Sequence, residues 1–107
     1  MKKDNFLHKI PKTKKDIMWE MDANETITLK IENSGIIKKL LRTTRYSYVH
    51  LDKIGSYVWV QLDGESDIYI IGKKIEAEFG EKTAPLFERL IKFLKVLESY
   101  KLIEWGK

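Results

Sequence analysis

The side chains in this 107-residue chain that are capable of covalent, acid-base or metal chemistry are few, and their spacing is wrong for it. His8 and His50 are the only histidines, and there is no cysteine. A catalytic triad needs a base beside an activated hydroxyl and a third group to orient that base. No Ser or Asp stands at a spacing that builds one around either histidine, so both read as ordinary surface residues. Two distant histidines without a cysteine also lack the clustered ligands of a metal site. Asp63/Glu65 and Glu76/Glu78 are near-neighbour carboxylates on exposed positions, where both stay solvated. The six glycines are dispersed among turns and helix ends, so no phosphate-cradling loop is formed. The expectation is a protein that is not an enzyme and needs no cofactor of its own.

What remains is chemistry of recognition. Tyr46, Tyr48 and His50 fall on alternate positions of a run, Tyr46 to Leu51, rich in residues that suit a pleated surface. Ser47, Val49 and Leu51 then face the opposite way. Trp19, Trp59 and Trp105 each sit among apolar neighbours and read as core or near-core aromatics rather than a stacking platform.

The elements that must position these groups can be traced along the chain. Ile17 to Ile31 alternates apolar and polar residues around Asp22-Ala23-Asn24-Glu25, which predicts strands over 17–22 and 26–32, with Asn24 as the residue suited to a left-handed turn conformation. Asn33-Ser34-Gly35 ends the second strand. Ile36 to Arg42 pairs apolar and basic residues at a spacing of four, as a short helical connector would. After the strand at 46–51, Asp52 suits the cap of a helix from Lys53, with Leu51, Ile54, Val58 and Leu62 on one face and Asp63-Gly64 as its stop. A second helix opens after Ser66 and turns Ile68, Ile71, Ile75 and Phe79 inward before Gly80. Gly72 within it marks a close helix contact. A third runs from near Thr83, with Pro85 in its first turn, to about Tyr100 on Leu86, Leu90, Ile91, Leu94 and Leu97. Lys101 to Trp105 should tuck against the core.

The fold class expected is therefore α+β and winged-helix-like, a small three-stranded antiparallel sheet packed on a three-helix bundle. One domain over 17–107 follows a basic arm at 1–16. That arm carries Lys2, Lys3, Lys9, Lys12, Lys14 and Lys15 with little apolar periodicity, and reads as mobile or loosely docked. Residues 1–45 hold 11 Lys and Arg against 6 Asp and Glu, a surplus of +5, whereas the remainder nets −1. No apolar run approaches the roughly 20 residues that span a bilayer, and the start lacks the apolar segment of a signal peptide, so a cytoplasmic protein is expected.

In the order of these elements the chain resembles the PqqD-like family of peptide-recognition domains. The resemblance is carried by the strand ending in Leu51, the cap Asp52, Trp59 in the first helix, the turn Leu62-Asp63-Gly64, the Ile-rich second helix and the Leu-rich third helix closing on Leu102-Ile103, across about residues 17–105. It implies a non-enzymatic chaperone that binds the leader of a ribosomally synthesised precursor peptide and presents it to a separate modifying enzyme, such as a radical S-adenosylmethionine enzyme. It further implies that the leader adds a strand beside the third strand and fits its side chains against the third helix, a mode that uses unpaired edge amides for affinity and side-chain pockets for specificity. Carried onto this sequence, the contacts fall on Tyr46, Tyr48, Val49 and His50 of the strand and on Arg89, Lys92, Phe93 and Val96 of the helix. The cations there suit an acidic leader.

Two other classes compete. A winged-helix outline with pI near 9.2 can bind nucleic acid. Against this, Glu88 and Glu98 flank Arg89, Lys92 and Lys95 on the third helix, which makes a poor phosphate-binding face. Alternatively the strand edge pairs with a second copy, giving a homodimer that peptide would compete away.

Overall fold

A computed structural model describes residues 6–32 and 46–106. Among the described residues the full elements are five strands and three helices: β1 Ile10–Thr13, β2 Met18–Met21, β3 Ile27–Glu32, β4 Tyr46–His50, α1 Lys53–Gln61, α2 Ile68–Phe79, α3 Leu86–Ser99 and β5 Ile103–Gly106, with a 3-10 turn at Gly80–Thr83 between α2 and α3. The expected α+β class holds. A three-stranded antiparallel sheet in the order β2-β3-β4 packs on the three helices, and a separate two-stranded sheet pairs β1 with β5. The helical connector expected at 36–42 lies outside the described residues.

The hairpin forms where alternation predicts it, with Trp19 opposite Leu29 and Met21 opposite Ile27. Its turn is held by Asp22, whose carboxylate accepts from the Asn24 and Thr26 amides at 2.9 and 3.1 Å and from Thr26 Oγ1 at 2.7 Å. The left-handed residue is Glu25, with φ of 63°, and not Asn24. Asp22 already supplies the side-chain bond to the backbone, which leaves the strained position to the residue after the turn, as in three-residue hairpin loops.

Leu29 and Ile27 are fully buried, and with Val58, Trp59, Leu62, Ile68, Ile71, Ile75, Leu90, Leu94 and Leu97 they form the core between sheet and helices. Two of the three helix starts come from carboxylates. Asp52 caps α1 by accepting from the Gly55 amide at 2.7 Å, as expected, whereas α2 is capped by Asp67, which accepts from the Ile70 amide at 2.8 Å. Ser66, the expected cap, stands one residue early and donates its own amide to Asp63 Oδ1 at 3.3 Å. Gly72 does mark a close contact: a Cβ there would lie 2.3 Å from Phe87 Cε1 of α3. Pro85 sits at the cap position of α3, so the helix proper begins later than Thr83.

Two further expectations are corrected. Trp19 is not core: it is 44% exposed, because the helical layer covers β3 and stops short of β2. The basic segment before residue 17 is not loosely docked over its described part. Ile10–Thr13 pairs in register with Ile103–Gly106, and Pro11 is fully buried. Backbone bonds stitch it on both sides, from the Thr13 amide to the Leu62 carbonyl at 3.1 Å, from the Ile68 amide to the Lys9 carbonyl at 3.0 Å, and from the Lys14 amide to the Leu102 carbonyl at 3.0 Å. Affinity here is carried by main-chain groups, which leave no apolar periodicity to read. Phe6 adds an edge-to-face contact with Trp105 at 5.6 Å between centroids. Lys101 to Trp105 tucks in as expected, through this pairing.

Candidate peptide-binding groove

β4 lies at the end of its sheet, paired with β3 alone among the described strands. Its backbone parity is set at its C-terminal end, where the Leu51 amide donates to the Ile27 carbonyl at 2.8 Å. Antiparallel ladders alternate every residue, so the Val49 amide also faces β3, while the amides and carbonyls of Tyr48 and His50 face away from the sheet. Side chains alternate on the orthogonal axis. Val49, opposite Leu29, lies on the helix side and is 36% exposed; Tyr48, opposite Lys30, lies on the far side and is 60% exposed.

Beside this edge opens a cavity of about 290 Å³ between the start of α1 and the face of α3. Its walls are apolar, from Leu51, Ile54 and Val58 on one side and Leu86, Leu90 and Phe93 on the other, with Ile75 below. The Phe93 ring lies over Gly55 of α1: a Cβ there would touch Phe93 Cζ at 3.4 Å, an ordinary contact, and would crowd Asp52 Oδ1 at 3.1 Å. The rim is polar, formed by His50, Asp52, Thr83 and Arg89. Arg89 Nη1 donates to the Lys82 carbonyl at 3.1 Å, which places the guanidinium over the 3-10 turn, and Thr83 Oγ1 donates to the Gly80 carbonyl at 2.8 Å. His50 Nδ1 and Thr28 Oγ1 are 2.7 Å apart across the outer face of the sheet. An apolar cleft with a few convergent polar groups beside a strand edge can hold an extended peptide with one apolar side chain inserted and its main chain paired.

The structure thus brings three of the sequence-predicted site residues, His50, Arg89 and Phe93, to one cavity. Lys92 and Val96 line a different, shallow surface of α3 with Glu88, Ile91, Lys95 and Ser99. Tyr48 borders a third depression on the outer sheet face with Met18, Trp19, Glu20, Thr28 and Lys30. Tyr46 is half-buried, with Lys30 Nζ 4.2 Å from its ring centroid. Sequence reasoning missed Ile54 on one wall of the cavity and Leu86 on the other. The signal available was the Leu86, Leu90, Phe93 spacing, which continues the apolar stripe of α3 to its N-terminal end.

Residues 38–103 match the family model described as coenzyme PQQ synthesis protein D, PqqD. The chain belongs to the PqqD family. Proteins of this family are non-catalytic chaperones that bind ribosomally made precursor peptides, so this member is not an enzyme. The match begins later than the resemblance drawn above from residue 17, and leaves β1, β2 and β3 outside it. The matched part contains β4, all three helices and every wall of the cavity. Comparison with curated proteins and with solved structures gives no match. Among the described residues no helix is long and apolar enough to cross a membrane.

Proposed function

We propose that this PqqD-family chain holds the leader of a precursor peptide as a fourth strand beside β4 and presents it to a separate modifying enzyme, of the radical S-adenosylmethionine class that the family resemblance implies. The observation that carries the reading is the coincidence of three features at one place: outward-facing amides at Tyr48 and His50, an apolar cavity directly beside them, and Arg89 on its rim. The bound peptide pairs its main chain with Tyr48 and His50, sets an apolar side chain between Ile54 and Phe93, and places a carboxylate near Arg89. Val49 flanks the insertion from the strand, while Lys92 and Val96 extend the contact along α3. Charge complementarity of this kind raises encounter rate and selectivity more than affinity.

The test is capture of bound peptides from nuclease-treated lysate of the source organism, read by mass spectrometry extended to short chains, for the wild type and for Tyr48→Pro. Proline removes the outward amide and leaves the β3 ladder intact. The expected result is a precursor peptide recovered by the wild type and lost with the folded variant. A folded Tyr48→Pro protein that keeps the peptide overturns strand addition, and recovery of partners only without nuclease would point to nucleic acid instead.

A further inference from the structure

The opposite edge of the same sheet has a use that peptide binding does not absorb. All four residues of β2 are exposed, and three are large and apolar: Met18 at 51%, Trp19 at 44% and Met21 at 46%. Trp19 and Met21 project from the helix side of the sheet, the side on which their partners Leu29 and Ile27 are fully buried. No described strand pairs with β2 except β3. An exposed apolar edge of this kind is a template for another strand.

We propose that two copies of this chain pair along β2, antiparallel about a two-fold axis at Trp19, into one continuous sheet ordered β4-β3-β2-β2-β3-β4. Hydrogen-bond parity supports this register. The Asp22 amide donates to the Thr26 carbonyl at 3.0 Å, so by alternation Glu20 and Met18 face β3 while Trp19 and Met21 point their amides outward. A pair about Trp19 therefore exchanges two bonds between the Trp19 residues and two more, one from each Met21 amide to the other copy's Ile17 carbonyl.

Side-chain parity selects the same axis. A two-fold normal to the sheet keeps its faces, so the helix side brings Trp19 against Trp19 and Met21 against Ile17, all apolar. The outer side sets Met18 against Glu20 within the strand and, beyond its ends, Asp22 against Asp16 of the preceding turn. Moving the axis to Glu20 opposes two carboxylates at the closest spacing of the ladder, and moving it to Met18 sets Met21 against Lys15. Tryptophan and methionine are the residues enriched where proteins associate. The short edge makes the association weak and concentration-dependent. Both β4 edges remain at the outer ends of the joined sheet, so each dimer keeps two grooves, and peptide does not compete with pairing.

Sedimentation equilibrium on the full chain, from low micromolar to near-millimolar concentration, reads the self-association directly. The absence of native cysteine permits a second reading by single substitution. Residues paired across an antiparallel ladder have Cα atoms about 4.5–5.5 Å apart, within disulfide reach, so Trp19→Cys joins two copies through the axis on mild oxidation. The expected results are a reversible dimer for the wild type, monomer for Trp19→Lys with an unchanged circular dichroism spectrum, and cross-linking by Trp19→Cys but not by Tyr48→Cys. A wild type that stays monomeric throughout overturns the proposal. So does cross-linking through Tyr48→Cys alone, or a dimer that dissociates on adding a bound peptide, since either places the contact at β4.

Discussion

The Ser56 hydroxyl accepts from the Ile27 amide at 2.7 Å and donates to the Leu51 carbonyl at 3.4 Å. One side chain on α1 thereby satisfies two main-chain groups at the point where β3 and β4 separate and the chain turns into the helix. It ties the end of the proposed peptide edge to the floor of the groove. Ser56 is buried, 1% exposed, so no water replaces it.

Ser56→Ala leaves the Ile27 amide and Leu51 carbonyl without their partner. An orphaned buried polar group costs about 1–3 kcal/mol, and urea unfolding should show a loss of that size with an unchanged slope. Ser56→Thr retains the hydroxyl and should lose less. Equal stability of wild type and Ser56→Ala would mean that the two strands close on each other without it.

Deletion of residues 1–13 tests whether the N-terminal segment is part of the fold. A solvated tail could be removed at no cost, whereas the structure loses the β1 ladder, the buried Pro11 and the amide bonds to Leu62 and Ile68. Loss of cooperative unfolding, or a drop of several kcal/mol, is expected on the scale of total domain stability. Deletion of residues 1–5 alone leaves all of those bonds in place.

That segment also shows where sequence reading stops. The hairpin, Asp52, the Ile and Leu stripes of α2 and α3 and the Gly72 contact were legible because each is written in apolar period or in a capping side chain. β1 was not, since lysines at 9, 12 and 14 hide a strand whose attachment is made by backbone groups that every residue has. Trp19 misled for the converse reason: its apolar neighbours are real, but whether a helix covers them depends on how far the helical layer extends over the sheet. The groove was half legible. Arg89 and Phe93 follow from the phase of α3, whereas the opposing wall at Ile54 and the placing of Phe93 over Gly55 require the crossing of α1 and α3.

Gly72→Ala drives a methyl to within 2.3 Å of the Phe87 ring as it stands. The ring must shift from its stacked position 6.0 Å from Tyr69, and overpacking of this kind costs about 1–3 kcal/mol. Phe87→Leu should recover part of that cost in the double variant. A non-additive double-mutant cycle in thermal or urea unfolding identifies the contact; strict additivity would place the cost away from Phe87, since the helix backbone itself favours Ala over Gly.

Acid should weaken the fold through two loop carboxylates. Thr26 Oγ1, then the Thr26 and Asn24 amides, hold the Asp22 carboxyl below its ordinary value of 3.8. The Glu65 amide, then the Ser66 amide and the charge of Lys74, do the same for Asp63. Because the folded values lie below the unfolded ones, the unfolded chain takes up protons first as pH falls. The stability these groups lend is complete above the unfolded value and is lost as pH drops through the folded values. Urea midpoints should therefore hold level down to about pH 5 and fall below it. Asp22→Asn with Asp63→Asn keeps the turn acceptors but removes their titration, so the acid limb should flatten; a limb as steep as the wild type's would assign acid sensitivity elsewhere.

Arg89 and Asp52 stand on the rim of the same cavity with opposite charge, and they should act oppositely on an acidic leader peptide. Arg89→Glu removes the attraction and should weaken binding about tenfold or more, roughly 1.4 kcal/mol. Arg89→Lys keeps the charge and should retain most of the affinity and its decline with salt, whereas in the reversed variant salt screens a repulsion and the decline is shallower. Asp52 carries a second duty as the α1 cap, and Ala at such a position costs about 0.5–2 kcal/mol of stability. Asn caps equally well without charge, so Asp52→Asn should leave the unfolding midpoint nearly unmoved and tighten the acidic peptide several-fold. Isothermal titration at low and high salt separates the cases. If Asp52→Asn and Arg89→Glu shift affinity in the same direction, the peptide's charge does not lie over this rim, and the leader sits further along α3, over Lys92 and Val96.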